Sequence, residues 1–126
     1  LPGMKKKGGG TIVNMSSLAA HNGGNNGSSV YAATKAAVIA YSKGLAKEVA
    51  PAGIRVNVVA PGFIGDTKFH STLTSEEARR AAISGVPLAR EGTPADVAGS
   101  VLFLVSDLAD YLTGETIEIN GGALMR

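Results

Sequence analysis

The chain has 126 residues, 44% of them hydrophobic and 17% charged, which is enough apolar material for one domain with a real core. Its net charge of +2 is too small to imply a nucleic-acid partner. Cysteine is absent, which excludes disulfides and thiolate metal sites and makes a reducing, cytoplasmic setting the expectation.

In chain order, Lys5-Lys6-Lys7 beside Gly8-Gly9-Gly10 reads as a solvated turn, with no aromatic residues interleaved as a nucleic-acid groove would need. Thr11-Ile12-Val13-Asn14-Met15 is a short β-branched run and predicts a buried strand. Residues 21–29 are nearly all turn formers and predict a loop. From Ser29 to Ala50 the chain is rich in Ala, Lys, Leu and Glu without internal proline, which predicts a long helix stopped by Pro51-Ala52-Gly53. Lys35, Lys43 and Lys47 interrupt this helix, so it is not a membrane span. Residues 54–59 predict a second strand, ended by Pro61-Gly62.

Thr74-Ser75-Glu76-Glu77 has capping-box spacing and should open a short helix to Ser84. Thr93-Pro94-Ala95-Asp96 opens another, with Thr93 as cap and an apolar face through Val97, Val101, Leu102, Leu104 and Val105. Residues 116–119 form the last strand. His21 and His70 are far apart and have no helical i,i+4 partner, so no metal site is expected. Short strands alternating with helices predict an α/β fold, a doubly wound parallel sheet with three strands here. Such a sheet wants both faces and its neighbours covered. The 11–15 strand reads as central, and the chain opens on Leu1 rather than Met, so the expectation is that its beginning lies elsewhere.

Tyr31 and Lys35 lie four positions apart on the long helix and share a face. A tyrosine ordinarily ionises near pH ~10, and a nearby ammonium favours its phenolate, so the pair makes a general acid/base. Taken alone, the spacing also occurs in helices for no chemical reason. Ser16-Ser17 follows the first strand, at the edge where open parallel sheets bind ligands, and a hydroxyl there can polarise a carbonyl or simply cap the strand end. Pro61-Gly62 follows the second strand on the same edge, where it is either a ligand-lining turn or an ordinary strand end.

Together, Gly9-Gly10-Thr11-Ile12-Val13-Asn14-Met15-Ser16-Ser17, Tyr31-Ala32-Ala33-Thr34-Lys35-Ala36-Ala37, residues 54–62, Leu112-Thr113-Gly114 and Asn120-Gly121-Gly122 resemble the short-chain dehydrogenase/reductase family. The resemblance implies the C-terminal half of one Rossmann-type domain over residues 1–126. It implies an oxidoreductase that interconverts a secondary alcohol and a carbonyl by hydride transfer with NAD or NADP. Tyr31 would be the acid/base, Lys35 would bind the nicotinamide ribose, and Ser17, rather than Ser16, would orient the substrate. Pro61, Gly62 and Ile64 would line the nicotinamide pocket and Thr67 would contact the carboxamide.

Three departures mark this chain. Gly65-Asp66 lengthens the spacing from Pro61-Gly62 to Thr67 by one residue, and Asn120 stands where the family often has Asp. The family's upstream glycine-rich phosphate loop and catalytic asparagine are not in the sequence, and Gly8-Gly9-Gly10 leads into a strand rather than out of one.

The implied partners are a small carbonyl or alcohol substrate and further copies of the chain, as a dimer or tetramer, with no nucleic acid and no membrane. A 3-oxoacyl-[acyl-carrier-protein] reductase-like activity is the first reading. A sugar, polyol or small-ketone dehydrogenase is the alternative, and a truncated, non-catalytic assembly module is the alternative of another class. Arg79-Arg80 is open to two readings, a contact for an acidic carrier or an exposed helix face.

Overall fold

The computed structural model describes residues 1–65 and 74–126. In chain order its elements are α1 (Pro2–Lys7), β1 (Gly10–Met15), α2 (Ala19–Asn22), α3 (Ser29–Val49), β2 (Ile54–Pro61), α4 (Glu76–Ser84), α5 (Pro94–Val105) and β3 (Thr116–Ile119). Single 3-10 turns follow α3 and α5, at Ala50–Ala52 and Asp107–Ala109. The strands form one parallel sheet in the order β1-β2-β3, with Met15 opposite Val59 and Pro61 opposite Ile119.

Alternation along the strands sorts the core onto two faces. Ile12, Ile54 and Val56 pack with Leu45, Ala46 and Val49 of α3. Val13, Val59, Ile117 and Ile119 pack with Val97, Val101 and Leu104 of α5. A helix thus covers each face, as a parallel sheet requires. The middle strand is sealed, with Val56, Asn57, Val58, Val59 and Ala60 all at 0% exposure. Asn57 is satisfied there because its amide donates to the Leu112 carbonyl (2.8 Å) and its oxygen accepts from the Glu115 amide (3.1 Å).

The structure departs from the sequence expectations at local detail. Lys5-Lys6-Lys7 is the last turn of α1, which opens with proline near its first position and closes on Gly8 at φ 78°. Met4 of that helix packs on the α3-side core, a tertiary contact that a basic run does not advertise. His21 and Asn22 belong to α2, and the loop begins at Gly23. β2 extends to Pro61, which is tolerated at a strand end because its carbonyl still accepts, here from the Leu18 amide at 2.9 Å. The cap of α4 is Ser75, whose hydroxyl accepts from the Ala78 amide, rather than Thr74. At α5 the expected cap forms in full, with Thr93 and Asp96 bonding each other's backbone.

Candidate active site

Parallel strands deliver their C-terminal ends to one edge of the sheet, and the segments expected to carry chemistry gather there. Two backbone bonds align them. The Ser16 amide donates to the Val59 carbonyl (2.8 Å), and the Leu18 amide donates to Pro61 (2.9 Å). The chain leaving β1 therefore stays beside the chain leaving β2, and Ser17 lies between those two bonds.

The Ser17 hydroxyl oxygen accepts from the Ala19 amide at 3.2 Å. That contact leaves its own proton free to donate. His21, on the short α2 that follows, places Nε2 2.9 Å from Glu118 Oε1 on β3. Arg126 donates to the same carboxylate oxygen at 2.7 Å. The segment after Ser17 thus runs against the last strand.

Helix α3 presents its buried stripe to the sheet through Ala32, Ile39, Ser42, Leu45, Ala46 and Val49. Lys35 falls on that stripe, between Ala32 and Ile39, and its ammonium reaches down to donate to the Met15 carbonyl at 3.1 Å. Tyr31, one turn earlier, is 49% exposed, and its ring centroid is 5.7 Å from the Lys35 nitrogen. Phenol and ammonium thus stand together over the end of β1 with the ring open to a substrate.

Beyond β2, the Gly62 amide donates to Ile119 (2.9 Å). A side chain at Gly62 would bring its Cβ within 3.0 Å of the Asn120 backbone, so this turn lies against β3 only because the residue is glycine. Ile64 pairs with Gly92, and its δ-methyl occupies the space that a Gly92 side chain would fill. Thr67, the proposed carboxamide contact, lies outside the described residues, as does His70. Ser17, Tyr31, Lys35, Pro61 and Gly62 are brought to one edge, while Ile64 packs toward the 91–92 turn.

Three contacts of consequence were not read from the sequence. Ser16, adjacent to the expected substrate residue, is only 3% exposed, and its hydroxyl donates to the Lys35 carbonyl at 2.8 Å. Asn14 donates to Ser42 at 2.9 Å, again across β1 and α3. Glu91 takes a two-pronged contact from Arg79 on α4, with Arg79 Nε at 2.8 Å. Its carboxylate also fills the space where a side chain on Gly65 would sit. Arg80 pairs with Glu76 one turn away (3.5 Å). Both arginines of the 79–80 pair are therefore engaged within the chain.

At the start of α5, Arg90 grips Asp96 at 2.8 and 2.9 Å, and with the Thr93 backbone and hydroxyl it holds the Asp96 carboxyl well below the usual carboxylate range. A cavity of about 270 Å³ opens beside this pair, lined by Phe63, Val86, Leu88, Glu118 and Asn120 among others. Ser17, Tyr31 and Lys35 do not line it.

Comparison with known proteins bears on the fold and the family. The family model described as Enoyl-(Acyl carrier protein) reductase matches residues 1–123. A 3-oxoacyl-[acyl-carrier-protein] reductase of Vibrio harveyi is 46% identical over 125 residues, 99% of this chain and 50% of that protein. One from Aquifex aeolicus is 49% identical over 119 residues, 94% of this chain and 47% of that protein. The crystal structure of a 3-oxoacyl-[acyl-carrier protein] reductase from Brucella melitensis superposes with a TM-score of 0.92 at 39% identity, covering 99% of this chain and 46% of that one. The chain spans about half the length of the curated relatives it matches. Matched motifs, a parallel sheet with tyrosine and lysine at its strand ends, and a family model spanning nearly every residue lead to one conclusion: the chain belongs to the short-chain dehydrogenase/reductase family.

Proposed function

We propose that residues 1–126 are the C-terminal half of a single Rossmann-type domain in an NAD(P)-dependent reductase. Its substrate class would be a 3-oxoacyl group on acyl-carrier protein, the class named in the relatives of Vibrio harveyi and Aquifex aeolicus. The observation that carries this reading is the pairing of an open Tyr31 ring with the Lys35 ammonium at the end of β1.

The residues present fit a nicotinamide cofactor, either NAD or NADP. Lys35 spends one of its three donors on the Met15 carbonyl, and among the described residues the other two remain for ribose hydroxyls. Pro61 and Gly62 form a turn that lies close against Asn120 because Gly62 has no side chain, and they would line the nicotinamide on this edge of the sheet. When bound, the cofactor supplies or accepts the hydride.

The chain's own work is to place the oxygen and move the proton. Ser17, its oxygen already accepting from Ala19, donates its proton to the substrate oxygen and fixes its direction. Tyr31 then gives a proton to that oxygen during reduction and takes one back during oxidation. Lys35 holds ribose and phenol in one arrangement, so the two transfers share a geometry.

The reading includes a homo-oligomer, supported by the large apolar residues left outside on α3, on α5 and beyond it, among them Val30, Tyr41, Leu102, Leu108 and Tyr111. It also includes a cytoplasmic setting, supported by the lack of cysteine. Among the described residues no helix is long and apolar enough to cross a membrane.

The test is reduction of a 3-oxoacyl thioester by NADH or NADPH in the full-length protein, with and without Tyr31→Phe. The substitution should lower turnover by at least about 100-fold. Cofactor binding, followed by nicotinamide fluorescence, should stay unchanged. Undiminished turnover in the variant would remove Tyr31 from the mechanism.

A further inference from the structure

Apolar packing between a helix and a sheet is strong but poorly directional, since a helix can slide or roll by an ångström and still bury nearly the same area. Acid/base chemistry does not tolerate such a slide, because displacements of that size are enough to cost large factors in rate. Something other than the apolar core must set the position of α3 along β1.

The contacts that do so lie on one face of β1. Residues 12, 14 and 16 alternate onto the α3 side. Ile12 joins the apolar core there, whereas Asn14 and Ser16 are polar and reach the helix by hydrogen bonds. Asn14 meets Ser42, whose hydroxyl in turn donates to the Val38 carbonyl at 2.7 Å. Ser16 meets Lys35 itself, two helical turns from Ser42, and donates to its backbone carbonyl at 2.8 Å.

The Ser16 bond is not needed to satisfy that carbonyl. Lys35 is well inside α3, where its carbonyl accepts from the amide four residues on. The second bond instead fixes where that turn of the helix sits. From the other direction, the Lys35 ammonium donates to the carbonyl of Met15, the residue immediately before Ser16. Lys35 is thus held at both ends by adjacent residues at the end of β1, through its backbone by Ser16 and through its side chain by Met15.

We infer that Ser16 is a positioning residue for the reaction. It acts through Lys35, fixing the height of the Tyr31–Lys35 turn over the strand end while its neighbour Ser17 faces the substrate. The tandem serines therefore divide the work, one hydroxyl pointing into the protein and the other toward the reacting oxygen. This inference rests on the reductase reading above, but its structural half can be examined without turnover.

The experiment uses the full-length protein and Ser16→Ala, with Tyr31→Phe assayed alongside. The expected result is a kcat lower by roughly tenfold, with the KM for substrate and the melting temperature nearly unchanged. A second readout is independent of catalysis. Labelling of lysine amines, read by mass spectrometry, should rise several-fold at Lys35 and stay level at Lys43 and Lys47, which lie on the same helix.

An unchanged kcat together with unchanged Lys35 labelling would overturn the proposal. So would a fall in kcat matched by lost folded protein, or by faster labelling of all three lysines, since that pattern marks a merely structural serine. If Tyr31→Phe keeps full turnover, the reductase reading fails instead, and Lys35 labelling alone then decides whether Ser16 positions it.

Discussion

β1 and β2 are built from the same kind of sequence, short β-branched runs each containing one asparagine, yet they live in different surroundings. β2 has a strand on either side and a helix on either face, and five consecutive residues in it have no exposure at all. β1 has β2 on one side only among the described residues, none of its residues is fully buried, and Met15 at its end is 48% exposed. Its polar groups are turned to different use. In β2, Asn57 pins the turn leading into β3, so it serves the fold. In β1, Asn14 and the following Ser16 pin the helix that carries Tyr31 and Lys35. The contrast teaches that hydrophobic pattern alone does not separate a strand that holds the core together from one that aims a site.

The comparison can be sharpened by paired substitutions read by chemical denaturation. The largest difference is expected for the isoleucines. Ile54→Ala, at 1% exposure, should cost about 3 kcal/mol through lost burial and a cavity. Ile12→Ala, on the half-covered strand, should cost about 1 kcal/mol. Equal losses at the two positions would mean that β1 is as firmly enclosed as β2.

The asparagines come next. Asn57→Ala leaves the Leu112 carbonyl and the Glu115 amide without their partner and opens a gap at a fully buried position, which should cost about 2 kcal/mol. Asn14→Ala leaves Ser42 still bonded to Val38 and should cost about 1 kcal/mol. The smallest effect belongs to Met15→Ala, expected within about 0.5 kcal/mol because the side chain is already half in water while its carbonyl, which receives Lys35, is untouched. A larger loss would show that Met15 packs against something its exposure does not reveal.

Much of this architecture was legible from the chain alone. The long helix betrayed itself by composition and by Pro51-Ala52-Gly53, and the three strands by β-branched runs bounded by glycine, with proline closing the second. That Tyr31, Lys35 and Ser17 would meet at one edge of the sheet was legible because their spacing and their place after a strand are properties of the chain itself. The short helices were not. α1 hides in a lysine run because its existence depends on Met4 finding the core, and α2 hides among turn formers because it is only one turn long. The α4 cap was displaced by one residue since Thr74 and Ser75 are both competent caps and only the incoming backbone direction decides between them.

The Ser16 bond was beyond reach for a deeper reason. It joins residues whose approach depends on how the helix is rotated over the sheet, and periodicity reports which face is buried but not which atoms meet. The Glu91 contacts depend in the same way on the approach of two separate turns. For the two readings of Arg79-Arg80, Glu76 stands one helical turn from Arg80 in the sequence itself, whereas the Glu91 carboxylate that engages Arg79 could not be seen from a linear reading.

The carboxylate of Glu91 grips Arg79 and at the same time fills the place of a side chain on Gly65. Positions 65 and 91 have therefore lost their independence. A side chain at 65 finds room once the Glu91 carboxylate moves, and that movement draws on the same atoms that hold Arg79. A residue with a side chain at 65 would push the flexible end of Glu91 aside, so a change at one position is felt at the other as a new rotamer and at Arg79 as a disturbed charge pair.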